Sequence, residues 1–476
     1  MKVMRTRQRG AVMVYMAAIA AVMAMVVLFV YNTGHIANEK TRLQNTTDAA
    51  AHSVAMLQSR DLNFQAYMNR AMIANQVAVA QAVSLVSWTR FLDDVIQNLR
   101  RYTSWVPYWG AFITAAARYS NIVKIGIERA GGFFVTGENN LVINGFSIAQ
   151  EVMHTTVIAE IPLTMQQVVR ANDPGVSTGL ITNSTLLTQL VTTYSSAISR
   201  YDPDNVRNRS GSNWREDKVR MDEFRDVTLR SRDGFTTTKR TYTLLKPPIP
   251  QPLPQFKLER AGGTELIGSN SNAPYYTWAA MDTLSLHTRT WRRGLSPGYR
   301  SWREQWPPLG WGAAQTGDTI YYANFRGRNF NSTWRINPMS SEKAAREFQN
   351  ASKVGTFSGL RTFSDITQKG LLDTMPAAVI LLTKPQGGND GVRTARDIGF
   401  AQAGTSVDLE QPGGMANNRL HAMAKAEAYF SRPDDLWHRP QGGREYGNAY
   451  NPFWQPRLTK LTATERAGAI ALANIH

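Results

Sequence analysis

From Ala11 to Tyr31 the chain carries no charged residue, and it turns polar within a few positions after that. As a helix rising about 1.5 Å per residue, such a run reaches about 31 Å, the thickness of a bilayer's hydrocarbon core. A secretory signal has a shorter apolar stretch, roughly 7–15 residues, followed by a small-x-small cleavage site. Asn32-Thr33-Gly34-His35 is not such a site. The pattern therefore predicts a retained transmembrane helix over 11–31, ahead of a cleaved signal or a buried core helix. Lys2, Arg5, Arg7 and Arg9 precede the run with no acidic residue among them. By the positive-inside rule this lead, 1–10, stays in the cytoplasm and the rest of the chain lies across the membrane.

The polar region that follows keeps a helical period. No Gly or Pro occurs between His35 and Val106. Leu57, Phe64, Met68, Met72, Val79, Val83 and Val86 recur at steps that hold one helical stripe. That stripe predicts packing against another helix of the chain. Alanines crowd the same stretch and permit close approach. Further helices are expected near 108–130, 140–171 and 180–199, which makes 32–200 a helical, membrane-proximal region.

Past Tyr201 the punctuation changes. Eighteen of the 21 prolines lie there, and KPPIPQPLPQF (246–256) reads as stiff and extended. The stretches DVTLRSRDGFTTTKRTYTLL (226–245) and GDTIYYANFRG (317–327) suit strands separated by turns. SSEKAAREFQNAS predicts a short helix capped by Ser340 or Ser341, and AAVILLTKP (377–385) a buried strand. The expected fold class is α+β: an N-terminal transmembrane helix, a helical half, and a mixed or β-rich half over 201–476, joined near 201–215.

Composition narrows the chemistry. Cysteine is absent, so disulfides, thiolate metal sites and cysteine nucleophiles are excluded. A net charge of +17 favours anionic neighbours such as lipid headgroups, envelope polymers or nucleic acid. No P-loop, G-x-G-x-x-G or H-E-x-x-H occurs. G-x-S-x-G occurs once, at Gly175–Gly179, but RANDP precedes it where a nucleophile elbow needs a buried strand. Ser177 is therefore expected in a loop. The seven histidines are scattered, and only His438 has carboxylates beside it, Asp434 and Asp435. The acidic neighbours Asp93-Asp94, Asp222-Glu223 and Asp434-Asp435 diverge on any regular element and are expected to be solvated. No catalytic residue, cofactor site or metal site is assigned.

One stretch stands out, HTRTWRRGLSPGYRSWREQWPPLGW (287–311), in which arginines alternate with aromatic residues. Guanidinium forks take phosphate or carboxylate, and indole faces take stacked rings. Arg289, Trp291, Arg292, Arg293, Arg300, Trp302 and Arg303 form a candidate polyanion-binding surface. The alternative is that the same side chains pack on one another within a β unit.

RGAVMVYMAAIAAVMAMVVLFVYNTGHIANEKTRLQNTTDAAAHSVA resembles the N-terminal segment of the TadE/TadG-like Flp (tight-adherence, Tad) pilus-assembly proteins, placed here at 8–54. The resemblance rests on a basic lead ending at Gly10, the apolar span, and the tract Leu43, Gln44, Asn45, Asp48, Ala49 and Ala50. AKAEAYFSRPDD and EYGNAYNPFWQPRL, between 424 and 458, resemble the C-terminal part of TadG-related proteins. The resemblance implies a role in building or anchoring a bacterial Flp pilus, hence adhesion. Two departures qualify it. The Asp-x-Ser-x-Ser start of a von Willebrand A metal site is missing, and Tyr15 stands where the system's pilins carry Glu, five places after the processing glycine.

These readings combine into a single-pass inner-membrane protein, periplasmic in bulk, serving as a non-enzymatic scaffold or minor component. Its expected partners are pilin, pseudopilins, the inner-membrane platform and the bilayer, with an anionic envelope polymer as a further candidate and nucleic acid not expected. The alternatives are a membrane-tethered envelope enzyme, such as a glycan hydrolase, and a polyanion-binding envelope module.

Overall fold

The computed structural model describes all residues except 1–6, 177–183, 212, 251–252, 269–274, 294–299, 318–329, 351–352, 368–372, 386–418, 433–444 and 475–476. Its first element is α1, Arg7–Thr103, a single helix of 97 residues. The lack of Gly and Pro beyond His35 lets it run this far, and it ends just before Pro107, with Arg100 and Arg101 in its last turn facing the negative end of the helix dipole. Then come α2 (Trp109–Gly137), a π-helical turn (Glu138–Ile143), α3 (Asn144–Asn172) and α4 (Ser184–Ser195). The helices expected in the first 200 residues are present.

Beyond them lie β1 (Ile198–Tyr201), α5 (Pro203–Asn208), α6 (Trp214–Arg230), β2 (Arg240–Leu245), β3 (Gln255–Ile267) and β4 (Thr277–Arg293). The series continues with β5 (Arg300–Gln305), β6 (Pro308–Gln315), α7 (Asn331–Ile336), α8 (Pro338–Asn350) and β7 (Phe363–Ile366). It closes with β8 (Ala378–Pro385), β9 (Arg419–Phe430), β10 (Trp454–Thr459) and α9 (Ala463–Asn474). The fold is α+β, with its sheets in the distal half and 377–385 forming the buried strand expected there.

Two local expectations are corrected. Residues 226–230 are the end of helix α6, because Asp217, Arg220, Met221, Phe224 and Thr228 form a buried helical row that starts upstream. The helix expected to begin at Ser340 or Ser341 begins at Pro338, and both serines are buried inside it. Proline suits a first turn, where its missing N–H has no partner to lose. The strand expectation for 317–327 lies, apart from Gly317, outside the described residues.

The chain folds as two compact units built from interleaved segments: Met1–Ala66, Val152–Ser199 and Ile366–His476, and then Tyr67–Glu151 with Arg200–Asp365. The first unit holds a three-stranded antiparallel sheet in the order β10-β9-β8. In β9, Leu420, Ala422, Ala424, Ala426, Ala428 and Phe430 are buried at every second position. They share a core with Leu43, Val54 and Leu62 of α1, Ile161 and Val169 of α3, and Tyr194 of α4. Small alanines on the strand let helices come close.

The second unit is organised around β4, whose 17 residues pair with β3 on one side and with β6 and then β5 on the other. Alternate residues of β4 serve the two faces. Ala279 and Met281 pack with Ala344, Ala345 and Phe348 of α8. Asp282 turns the other way, towards Ser87 of α1. Gly310 and Gly312 on β6 are required there: a Cβ on Gly310 would lie 2.2 Å from a Val95 methyl, and one on Gly312 2.4 Å from the helix backbone.

Candidate functional site

The apolar run begins α1, and its most apolar window is wholly unburied. Val12, Val22, Val26 and Val30 are each more than half exposed. Burial starts after Tyr31, with Asn32 and then Leu43, Thr46 and Thr47. Solvent preference therefore switches where the sequence pattern switches.

The tract that carries the family resemblance lies on this buried stretch, in the first unit. Leu43 and Ala50 are fully buried in the core. Gln44 Nε2 donates to Asp48 Oδ1 and to the Met423 carbonyl of β9, both at 2.9 Å. One turn earlier, Lys40 Nζ donates to the His421 carbonyl. Asn45 is exposed, and Gly10 lies in the opening turns of α1 by its backbone. The reason for this docking is in the sheet register. β10 pairs with β9 only from Lys425 onward, so His421 and Met423 face no strand on that side among the described residues. Two strand residues span about 6.8 Å and four helical residues about 6 Å, so side chains at i and i+4 match carbonyls at j and j+2. Lys40 and Gln44 stand in for the missing strand.

Charges fasten the same region. Lys384 of β8 is almost fully buried and meets Glu39 Oε2 at 2.7 Å and Asp173 Oδ2 at 3.0 Å. Arg42 Nη2 donates to the Asn172 carbonyl at 3.2 Å, and its Nε lies 3.8 Å from Asp173. Asn63 brackets the start of β10, donating to the Trp454 carbonyl at 2.9 Å and accepting from its N–H at 3.0 Å. Deeper in, Asp61 binds His154 Nδ1 at 2.6 Å and Tyr194 Oη at 2.9 Å, joining α1, α3 and α4. Burial, then the charge of Asp61, pushes the Tyr194 phenol well above its usual range.

The second unit repeats the helix-to-strand match on β6. Asn98 Nδ2 donates to the Leu309 carbonyl, Asp94 Oδ2 accepts from Trp311 N–H, and Arg90 Nη1 donates to the Ala313 carbonyl. Three helix positions four apart meet three strand positions two apart. Glu347 of α8 accepts from Ala313 N–H at 3.2 Å. Asp93 pairs with Lys124 at 2.6 Å. Asp93 and Asp94 diverge as adjacent helical residues must, but they are partnered and not solvated. Asp222 binds Lys218 and accepts from Tyr275 Oη while its side chain stays partly exposed.

The candidate polyanion surface forms a hairpin. Its register sets Trp291 opposite Trp302 and Arg293 opposite Arg300, with Arg292 opposite Ser301 and Thr290 opposite Arg303. The side chains of 291–293 and 300–304 lie outside the described residues, and Arg289 is half-buried. Ser177, His438, Asp434 and Asp435 also lie outside them. Among the described residues no group of three or more His, Cys, Asp or Glu is placed to hold a metal.

The structure thus defines a chain with a candidate membrane anchor whose exit from the apolar span is tied into a folded unit. Residues 10–57 match the Tad family, described as Flp pilus-assembly TadE/G-like, and so carry a TadE/TadG-like segment. No curated protein and no solved structure matches the chain. The motif residues Gln44 and Asp48 were visible in the sequence. Glu39, Lys40, Asn63, Asp173 and Lys384 were not singled out, although Lys40, Gln44 and Asp48 share a helical row that could have flagged them.

Proposed function

We propose that this protein is a single-pass component of Flp/Tad pilus assembly, held in the bacterial inner membrane by 11–31 with residues 1–10 in the cytoplasm. Both folded units then lie in the periplasm and act as a non-enzymatic scaffold or minor component for adhesion. The observation that carries this reading is the family match over 10–57, which covers the unburied apolar run and the tract docked on β8 and β9. A TadE/TadG-like segment tied to a sheet over 300 residues away positions a periplasmic body at the bilayer surface, where pilin, pseudopilins and the platform pass. The chemistry described so far supports this reading, because the buried charged groups of the first unit are spent on holding elements together.

Topology tests it. Four positive charges before the span predict that a phosphatase reporter fused after His476 is active and a cytoplasmic fluorescent reporter there is not. The reverse pattern would place the units in the cytoplasm and remove the assembly role.

A further inference from the structure

A further candidate site lies in the second unit, outside the segment that the family match covers. A pocket of about 410 Å³ opens where the chain enters β2. Its walls include Trp88 of α1, Phe235, Lys239, Arg240 and Tyr242 around β2, and Arg260 of β3. That size falls within the range of small-ligand sites.

The charge count is unbalanced. Arg240 Nη2 lies 3.0 Å from Asp282 Oδ2, and Arg260 Nη2 lies 3.1 Å from Asp282 Oδ1. Two guanidinium groups therefore share one fully buried carboxylate, whose Oδ2 also accepts from Ser87 at 2.9 Å. Among the described residues no other carboxylate pairs with either arginine. Asp233, close in sequence, spends its oxygens on Thr236 and Gln81. Lys239 is exposed and adds a further cation. Arg240 is buried and also donates to the Phe235 and Gly263 carbonyls and to Thr264 Oγ1, so the charge left facing the pocket is that of Arg260 and the exposed Lys239, which favours an anionic guest.

The remaining wall is aromatic and hydroxylated. Arg260 has its guanidinium carbon 5.2 Å from the ring centroids of both Phe91 and Tyr242. Tyr242 is about half exposed, and Thr237 and Thr241 complete the lining. A ligand using all of this offers one carboxylate or phosphate, a flat C–H face for the rings, and a hydroxyl for Thr237. We infer that this pocket binds an acidic sugar, such as a uronic acid unit of an anionic glycan, with its carboxylate on Arg260 and Lys239.

The test is calorimetric titration of the full chain in a non-ionic detergent with D-glucuronate, D-glucose and inorganic phosphate. Glucuronate should bind, more weakly as salt rises, and more tightly than either of the others. Lys239→Glu should weaken glucuronate about tenfold or more, since reversing a charge beside an anion costs at least that much. Tyr242→Ala should weaken glucuronate while leaving the response to phosphate unchanged. Both positions are exposed, and an unchanged thermal transition shows that the fold survives. Equal binding of glucose would remove the charge recognition, and equal binding of phosphate would reduce the pocket to a plain anion site. No glucuronate binding, or no effect of either variant on it, would overturn the proposal outright.

Discussion

Lys384 is the cation of a buried charge cluster in the first unit. Its ammonium is almost fully buried between Glu39 and Asp173, and Asp173 is itself buried. Removing one partner of such a cluster is worse than removing the cluster, because the carboxylates stay behind uncompensated. Lys384→Ala should therefore cost on the order of 3 kcal/mol in denaturant unfolding of the extracted protein. Lys384→Met combined with Asp173→Asn should recover much of that loss. A single variant as stable as the wild type would mean the carboxylates find other partners. None of this was legible in the sequence: Lys384 lies at the end of an apolar strand and Glu39 is 345 positions away. The motif residues could be recognised as a motif, but the carbonyls they bind could not, since backbone groups left over by a short strand leave no trace in side-chain identity.

At the scale of elements, α1 was legible over nearly all its length, because helix breakers are absent and the apolar row is periodic. What it does to the sheets was hidden. Asp93 and Asp94 were expected to be solvated as adjacent, diverging acids, whereas Asp94 belongs to a polar row at i, i+4, i+8 with Arg90 and Asn98. On β6 that row satisfies Leu309, Trp311 and Ala313, with Glu347 of α8 completing the edge. Burial, opposed by Arg90 and by the Ala313 amide and aided by the charge of Asp94, pushes the Glu347 carboxyl up to about 7. An acid whose folded pKa is raised holds more protons folded than unfolded between its usual value and about 7. Its contribution to stability is thus complete below its unfolded pKa and lost as pH rises through about 7. Melting of the wild type should rise on acidification from neutral to about pH 5 more than that of Glu347→Gln. Parallel pH profiles for the two proteins would show that Glu347 titrates normally. The strand misread over 226–230 has a simple cause. The buried row of α6 begins at Asp217, so a window opened at Asp226 meets only its last turn, where Val227 and Thr228 favour a strand by composition.

For the whole molecule, the sequence announced the candidate anchor and the family segment, and the structure adds that the stretch just after the apolar run is built into a sheet from the far end of the chain. The interleaving of segments from 1–66, 152–199 and 366–476 in one unit could not be seen from composition, because punctuation changes once, near Tyr201, whereas the packing partners alternate. We propose that this body stays fixed in the inner membrane and does not polymerise into the fibre. Fibre entry after cleavage behind Gly10 would place the new amine of Ala11 in apolar surroundings, where an unpaired charge is costly. A carboxylate at position 15 would offset that cost, but the residue there is Tyr15, whose phenol is neutral near pH 7. Intact-mass analysis of the protein from the inner-membrane and sheared-pilus fractions of the same cells tests this most directly. The expected result is a membrane species that retains the residues before Ala11 and is absent from the pili. A species beginning at Ala11, recovered from the pili in stoichiometric amounts, would make it a pilin-like subunit and contradict the account.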